Sequence, residues 1–186
     1  MTSNDLAGSH ETTSRYDAYV EECFQGEVYG EALFRTMADL CEIPERARKF
    51  RVLQQLERET KEFLLPAVRQ AGYAGDESPE RISEGEVQGA QLAKTPWQEL
   101  MRGLQTELEG YVREFEQAGG LSPPGKESLL QRVTAHERAL LDFATRELAG
   151  DVRGNSLEPV TARLRGLPAT WRCAGAGARI QTRKER

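Results

Sequence analysis

Two glutamates in the middle of an apolar helical seam constrain this chain more than any other feature. Between Tyr19 and Cys41, positions three and four residues apart read Val20, Phe24, Glu27, Glu31, Phe34, Ala38 and Cys41, the spacing of one face of an α-helix. An ionised carboxylate in a dry core costs several kcal/mol unless it is paired, protonated or bound to a metal. The fold must therefore supply partners for these two side chains at mid-height of whatever packs on this helix.

The rest of the chain supplies three more helices of similar length. A polar leader, Met1 to Ser14, is expected to be disordered, and the first helix then runs from Arg15 to Cys41 with Ser14 and Asp17 in capping-box spacing. Pro44 opens a second helix that continues to Gly72 on a stripe of Phe50, Leu53, Glu57, Thr60, Leu64 and Ala67; Pro66 is expected to bend its last turns. Residues Tyr73 to Lys94 are too many for a tight turn and enough to climb the height of a bundle, so they read as a crossover with one helical piece near Glu84 to Ala93. Thr95, Pro96 and Gln98 form a capping box for the third helix, whose stripe is Trp97, Leu100, Leu104, Glu107 and Tyr111. After a turn from Ser122 to Gly125, the fourth helix reaches Gly150 on Leu130, Val133, Glu137, Leu140 and Ala144. Residues 151–186 read as a short helix, Ser156 to Gly166, and a basic flexible tail.

Each helix thus carries one inward glutamate, and their heights agree. Glu27 and Glu57 are 30 positions apart around the first turn, and Glu107 and Glu137 are 30 apart around the second. Two antiparallel hairpins joined by a long crossover would bring all four carboxylates to one level of an all-α four-helix bundle over residues 15–150.

One inward glutamate per helix in this arrangement resembles the ferritin-like superfamily, which includes rubrerythrin-type proteins and di-metal carboxylate oxygenases. The resemblance implies that Glu27, Glu57, Glu107 and Glu137 hold iron or manganese. It also implies Glu-x-x-His on the second and fourth helices, and here the chain departs from the pattern: Thr60 and Leu140 stand at the histidine positions. The chain has 2 histidines; His10 falls in the leader, and His136 lies next to Glu137, about 100° around the helix.

Three functional readings follow. The first is a carboxylate-rich metal site with Glu31 as an additional ligand, His136 as ligand or proton carrier, and Tyr111 close enough to take part in oxidase or oxygenase chemistry on a small substrate. Oxygen-rich ligation suits manganese, magnesium or calcium, with iron also accommodated. The second is a degenerate relative, a binding or structural module without metal, and the third a metal-free enzyme using the polar pocket for acid–base work. Each residue also has a plainer assignment: Glu31 can pair with Arg35, Glu57 with Lys61, Glu137 can turn outward, and His136 can be a satisfied interface histidine.

Composition sets the outer limits. The 186 residues carry a net charge of −5, distributed as −10 before Asp151 and +5 after it, and an acidic body argues against nucleic acid as a partner. No apolar run approaches a membrane span and no basic-then-apolar signal opens the chain, which places it in the cytoplasm. Cys23 and Cys41 would lie roughly 27 Å apart along one helix and cannot bridge. Cys173 stands alone in the tail. The expected assembly is a homodimer.

Overall fold

The computed structural model describes the backbone of residues 3–150 and 155–165, with side chains from Thr13 onward. Its elements are α1 (Ser3–Leu40), α2 (Pro44–Gln70), α3 (Pro79–Leu92), α4 (Trp97–Ala118), a single 3-10 turn (Gly119–Leu121), α5 (Glu127–Leu148) and α6 (Glu158–Thr161). The described residues are therefore helical, and no helix among them is long and apolar enough to cross a membrane. The basic segment beyond residue 165, with Trp171 and Cys173, lies outside the described residues.

Helix α1 begins at Ser3 rather than Arg15, so Ser14 and Asp17 sit inside the helix instead of capping it. Its burial explains why it reads as only weakly two-sided. Val20, Phe24, Phe34 and Ala38 are buried as expected, but so are Cys23, Val28, Ala32, Leu33 and Met37 on other faces. A helix with neighbours on several sides needs apolar side chains around most of its circumference.

Those neighbours can be ordered from side-chain pairs. Helix α2 runs antiparallel to α1, because Arg51 meets Asp39 while Lys61 meets Glu31. Its interior Pro66 does not end it. The crossover then holds a helix longer than the expected piece, α3, parallel to α1: Gly85 lies against Tyr29 and Ala32, and Gly89 against Leu33 and Thr36. Ser78 caps it, its hydroxyl accepting from the Arg81 amide at 3.2 Å, with Pro79 at the first helical position. Helix α4 starts beside the first turn, where Trp97 packs on Phe50, and descends until Phe115 meets Tyr19, so it runs in the direction of α2. Its N-cap is Pro96, without the expected Thr95 side-chain cap. Helix α5 returns upward and brings Glu147 to Lys49 and to the Trp97 indole, which donates at 3.0 Å.

The buried apolar side chains form two clusters. The upper one includes Leu33, Phe34, Met37, Phe50, Leu53, Met101, Leu140 and Phe143, and the lower one Val20, Phe24, Val28, Leu64, Leu130 and Val133. Between them Glu27, Glu57, Thr60 and His136 are buried. A polar layer thus crosses the middle of the core.

The α1–α3 contact depends on two missing side chains. A Cβ on Gly85 would collide with the Tyr29 carbonyl, and one on Gly89 would come within 2.7 Å of the Leu33 carbonyl. Backbone cannot move aside as a flexible side chain can. Gly85→Ala is therefore expected to destabilise by about 1–3 kcal/mol, the usual range for overpacking. Gly103→Ala meets nothing within 4 Å in α4 and should stabilise by about 0.5–1 kcal/mol from helix propensity alone. Urea unfolding of the two variants checks the opposite signs.

Candidate metal centre

The centre of the polar layer is a three-residue cluster. Glu27, Glu57 and His136 each offer one ligand atom, and these atoms all lie within 4.8 Å of one another. The three residues are only 4%, 5% and 2% exposed. His136 Nε2 is 3.4 Å from Glu57 Oε1 and 3.7 Å from Glu27 Oε2. On its other side, His136 Nδ1 and Thr60 Oγ1 share a hydrogen bond of 2.8 Å, which fixes the ring plane. Glu27 Oε2 and His136 Nε2 have no hydrogen-bond partner.

Local sequence explains the close approach. Gly30, one turn from Glu27, leaves the space into which the Glu57 side chain turns: a Cβ there would lie 2.7 Å from Glu57 Cδ. Glycine inside a helix costs roughly 1 kcal/mol against alanine. Gly30 is thus a sequence signal for a crowded site that helical periodicity alone does not register.

The electrostatics follow from burial and like charge. Burial, and then the neighbouring carboxylates Glu57 and Glu137, hold the Glu27 carboxyl well above its ordinary range. Glu137 is pushed up to about 7, chiefly by burial and further by Glu57 and Glu107, although His136 opposes the rise. Burial alone would lower His136, but the Glu57 carboxylate beside it wins and holds the imidazole above its usual value.

A cleft of about 430 Å³ between α1 and α4 opens onto this cluster. Glu27, Glu57, Glu107 and Glu137 all line it, together with Tyr19, Tyr29 and Tyr111. The four carboxylates expected at one level therefore meet one cavity, but unequally. Glu107 is exposed and accepts from the Tyr111 hydroxyl at 3.5 Å, and Tyr111 is 42% exposed. Both stand at the rim because α4 turns Leu100, Met101 and Leu108 inward instead. On α5 the expected stripe of Leu130, Val133, Leu140 and Ala144 is buried, but His136 is buried beside it in the core and Glu137 is only half-buried.

Glu31, expected as an additional ligand, is not part of the cluster. Its carboxylate bonds Arg58 at 2.7 Å and Lys61 at 2.7 Å, and these two cations, outweighing its burial, hold it below the ordinary range. Arg35, its suggested partner, pairs instead with Glu86. Lys61, suggested for Glu57, bonds Glu31 and Glu77. Sequence analysis missed Tyr19 and Tyr29 in the cleft wall, whose positions look like ordinary core aromatics. Thr60 was expected on the inward stripe of the second helix and at a substituted histidine position, but nothing local to it announces His136.

The shifted carboxyls give a definite pH dependence. Glu27 and Glu137 take up protons more readily folded than unfolded, so the stability they add is fully present below about pH 4.5 and is lost as pH rises through their folded values, about 7 for Glu137. His136 acts in the same direction. Unfolding free energy measured in chelator is therefore expected to fall between pH 5.5 and pH 8, with Glu137 contributing on the order of 2 kcal/mol of the loss. Glu137→Gln should flatten the slope in a urea titration across this range.

A scan against protein-family models and searches of curated proteins and of solved structures find no match to this chain.

Proposed function

We propose that the Glu27, Glu57 and His136 cluster binds a divalent metal, and that the chain is a ferritin-like four-helix-bundle protein of the non-heme oxidase or oxygenase kind. The observation that carries this reading is the convergence of three buried ligand atoms within 4.8 Å, two of which, Glu27 Oε2 and His136 Nε2, are left without a hydrogen-bond partner. Buried polar atoms are nearly always satisfied, and a cation is one physical reason for leaving adjacent ones open. The donor set fits: carboxylates with one imidazole suit iron or manganese better than copper. The chain directions support the architecture, with α1/α2 and α4/α5 as antiparallel hairpins and α3 as the climbing connection.

Glu27, Glu57 and His136 would hold the metal, with the half-buried Glu137 beside them. Bound there, iron or manganese supplies reactivity toward dioxygen or peroxide. The chain's own residues perform the remaining tasks. Thr60 orients His136. Glu137, with its carboxyl pushed up to about 7, can hold or release a proton beside the cluster near neutral pH. Leu33, Phe34, Leu108 and Leu140 make the cleft wall apolar, which excludes water and favours a small substrate with a hydrophobic part.

A second reading, a binding or structural module without metal, is favoured by one observation. The Glu57 to His136 contact at 3.4 Å, with the imidazole held above its usual value by that carboxylate and oriented by Thr60, lets the cluster offset part of its own charge.

Thermal melts at pH 8 separate the two. For a metal centre, manganese(II) or iron(II) at a hundredfold excess over Kd should stabilise the protein by about 2.7 kcal/mol, and Glu27→Gln should abolish the effect. In chelator the same substitution removes a buried charge at nearly constant volume and should raise stability by on the order of 1 kcal/mol. Stabilisation by Glu27→Gln in chelator with no response to either metal would assign the second reading. Elemental analysis of protein purified without chelator checks the occupancy independently.

A further inference from the structure

Behind His136, on the side away from Glu27 and Glu57, lies a separate pocket of about 380 Å³. Leu56, Thr60 and His136 are its most buried members. Three arginines surround it from two parts of the chain: Arg132 on α5, and Arg163 and Arg165 just after α6.

Among the described residues, seven arginines elsewhere are neutralised by carboxylates: Arg35, Arg48, Arg51, Arg58, Arg81, Arg138 and Arg146 each close an ion pair. Arg132, Arg163 and Arg165 have no ion-pair partner among the described residues. The carboxylate in the pocket, Glu59, is 7% exposed and is taken up by other donors: Gln55 Nε2 donates to it at 3.0 Å and the Arg165 backbone amide at 2.7 Å. Three guanidinium charges therefore face one carboxylate, in a chain whose net charge is −5.

We propose that this pocket binds a small molecule through an oxyanion group, a phosphate or a carboxylate, held by Arg132 and Arg163 with Thr60 at its inner end. Guanidinium forks match the two-oxygen edge of such groups, which is why arginine recurs where they are recognised. Arg132 is already fixed for the task. Its guanidinium centre lies 4.0 Å from the Phe63 ring centroid, so its face is engaged and its N–H edge remains for an acceptor. Leu56 gives the wall an apolar portion, and the volume suits a small organic anion. The site requires no metal on the far side of His136 and stands independently of that reading.

Calorimetric titration of the full chain with inorganic phosphate, at ionic strength matched with chloride, tests the proposal, with succinate as a separate probe. Saturable 1:1 binding is expected, weakened about tenfold or more by Arg132→Gln and by Arg163→Gln, and unchanged by Arg35→Gln on another face. The amide resonances of Thr60 and His136 should shift on saturation. Tighter phosphate assigns a phosphoryl ligand and tighter succinate a carboxylate ligand; either sustains the site. Arg163 is exposed, so its variant is expected to melt like the parent, and Arg163→Lys should recover part of the affinity. No saturable binding of either probe, or equal binding in both arginine variants, overturns the proposal.

Discussion

The structure depends on a buried carboxylate pair that, among the described residues, no lysine or arginine bonds. Glu27 and Glu57 sit between two apolar clusters, and the His136 imidazole is the group that lies beside both carboxylates. One turn along α1 the same problem is solved in the ordinary way, since Glu31 is clasped by Arg58 and Lys61 and its carboxyl is held low. The contrast isolates the chemistry. Both glutamates are buried on the same helix, yet α2 supplies cations to one and a second carboxylate to the other, and the uncompensated charge collects at a single point.

Gly30 and the α3 glycines show how the backbone accommodates that point. Gly30 admits the Glu57 side chain, and Gly85 and Gly89 let α3 lie directly on the backbone of α1. With α2 and α3 against α1, the space left between α1 and α4 remains a cleft that ends at the cluster. The acidic rim, Glu107 and Glu114 beside Glu22, attracts cations toward the interior and disfavours anionic molecules at that entrance.

His136 divides the layer into two chemically opposite halves. Its Nε2 faces carboxylates and an acidic cleft, while its Nδ1 faces Thr60 and a pocket edged with arginine. One side chain, held at Nδ1 by Thr60, thus forms the wall between a cation-favouring space and an anion-favouring one. Thr60 carries this role because it stands three residues beyond Glu57, so it shares a face of α2 with that carboxylate and reaches the ring from the same helix.

Much of this was legible in the sequence. The seam through Val20, Phe24, Glu27 and Phe34 fixed a buried face of α1, the equal spacing of 30 positions placed four carboxylates around one cavity, and the crossover's helical piece near Glu84 to Ala93 is the second half of α3. These signals are local or depend only on helical period. The choice between Glu27 and Glu31 was not legible, because both lie on the seam and only the identity of the α2 residues opposite each decides its ionisation. The choice between Glu137 and His136 was not legible either. They are about 100° apart on α5, and a buried face wide enough to take in Ala139 and Phe143 beside Leu140 and Ala144 places His136 in the core and leaves Glu137 at the cleft. Periodicity gives a face to within a residue or so; the packing of several helices against one another decides which side chain occupies its centre, and here that decision set the chemistry of the site.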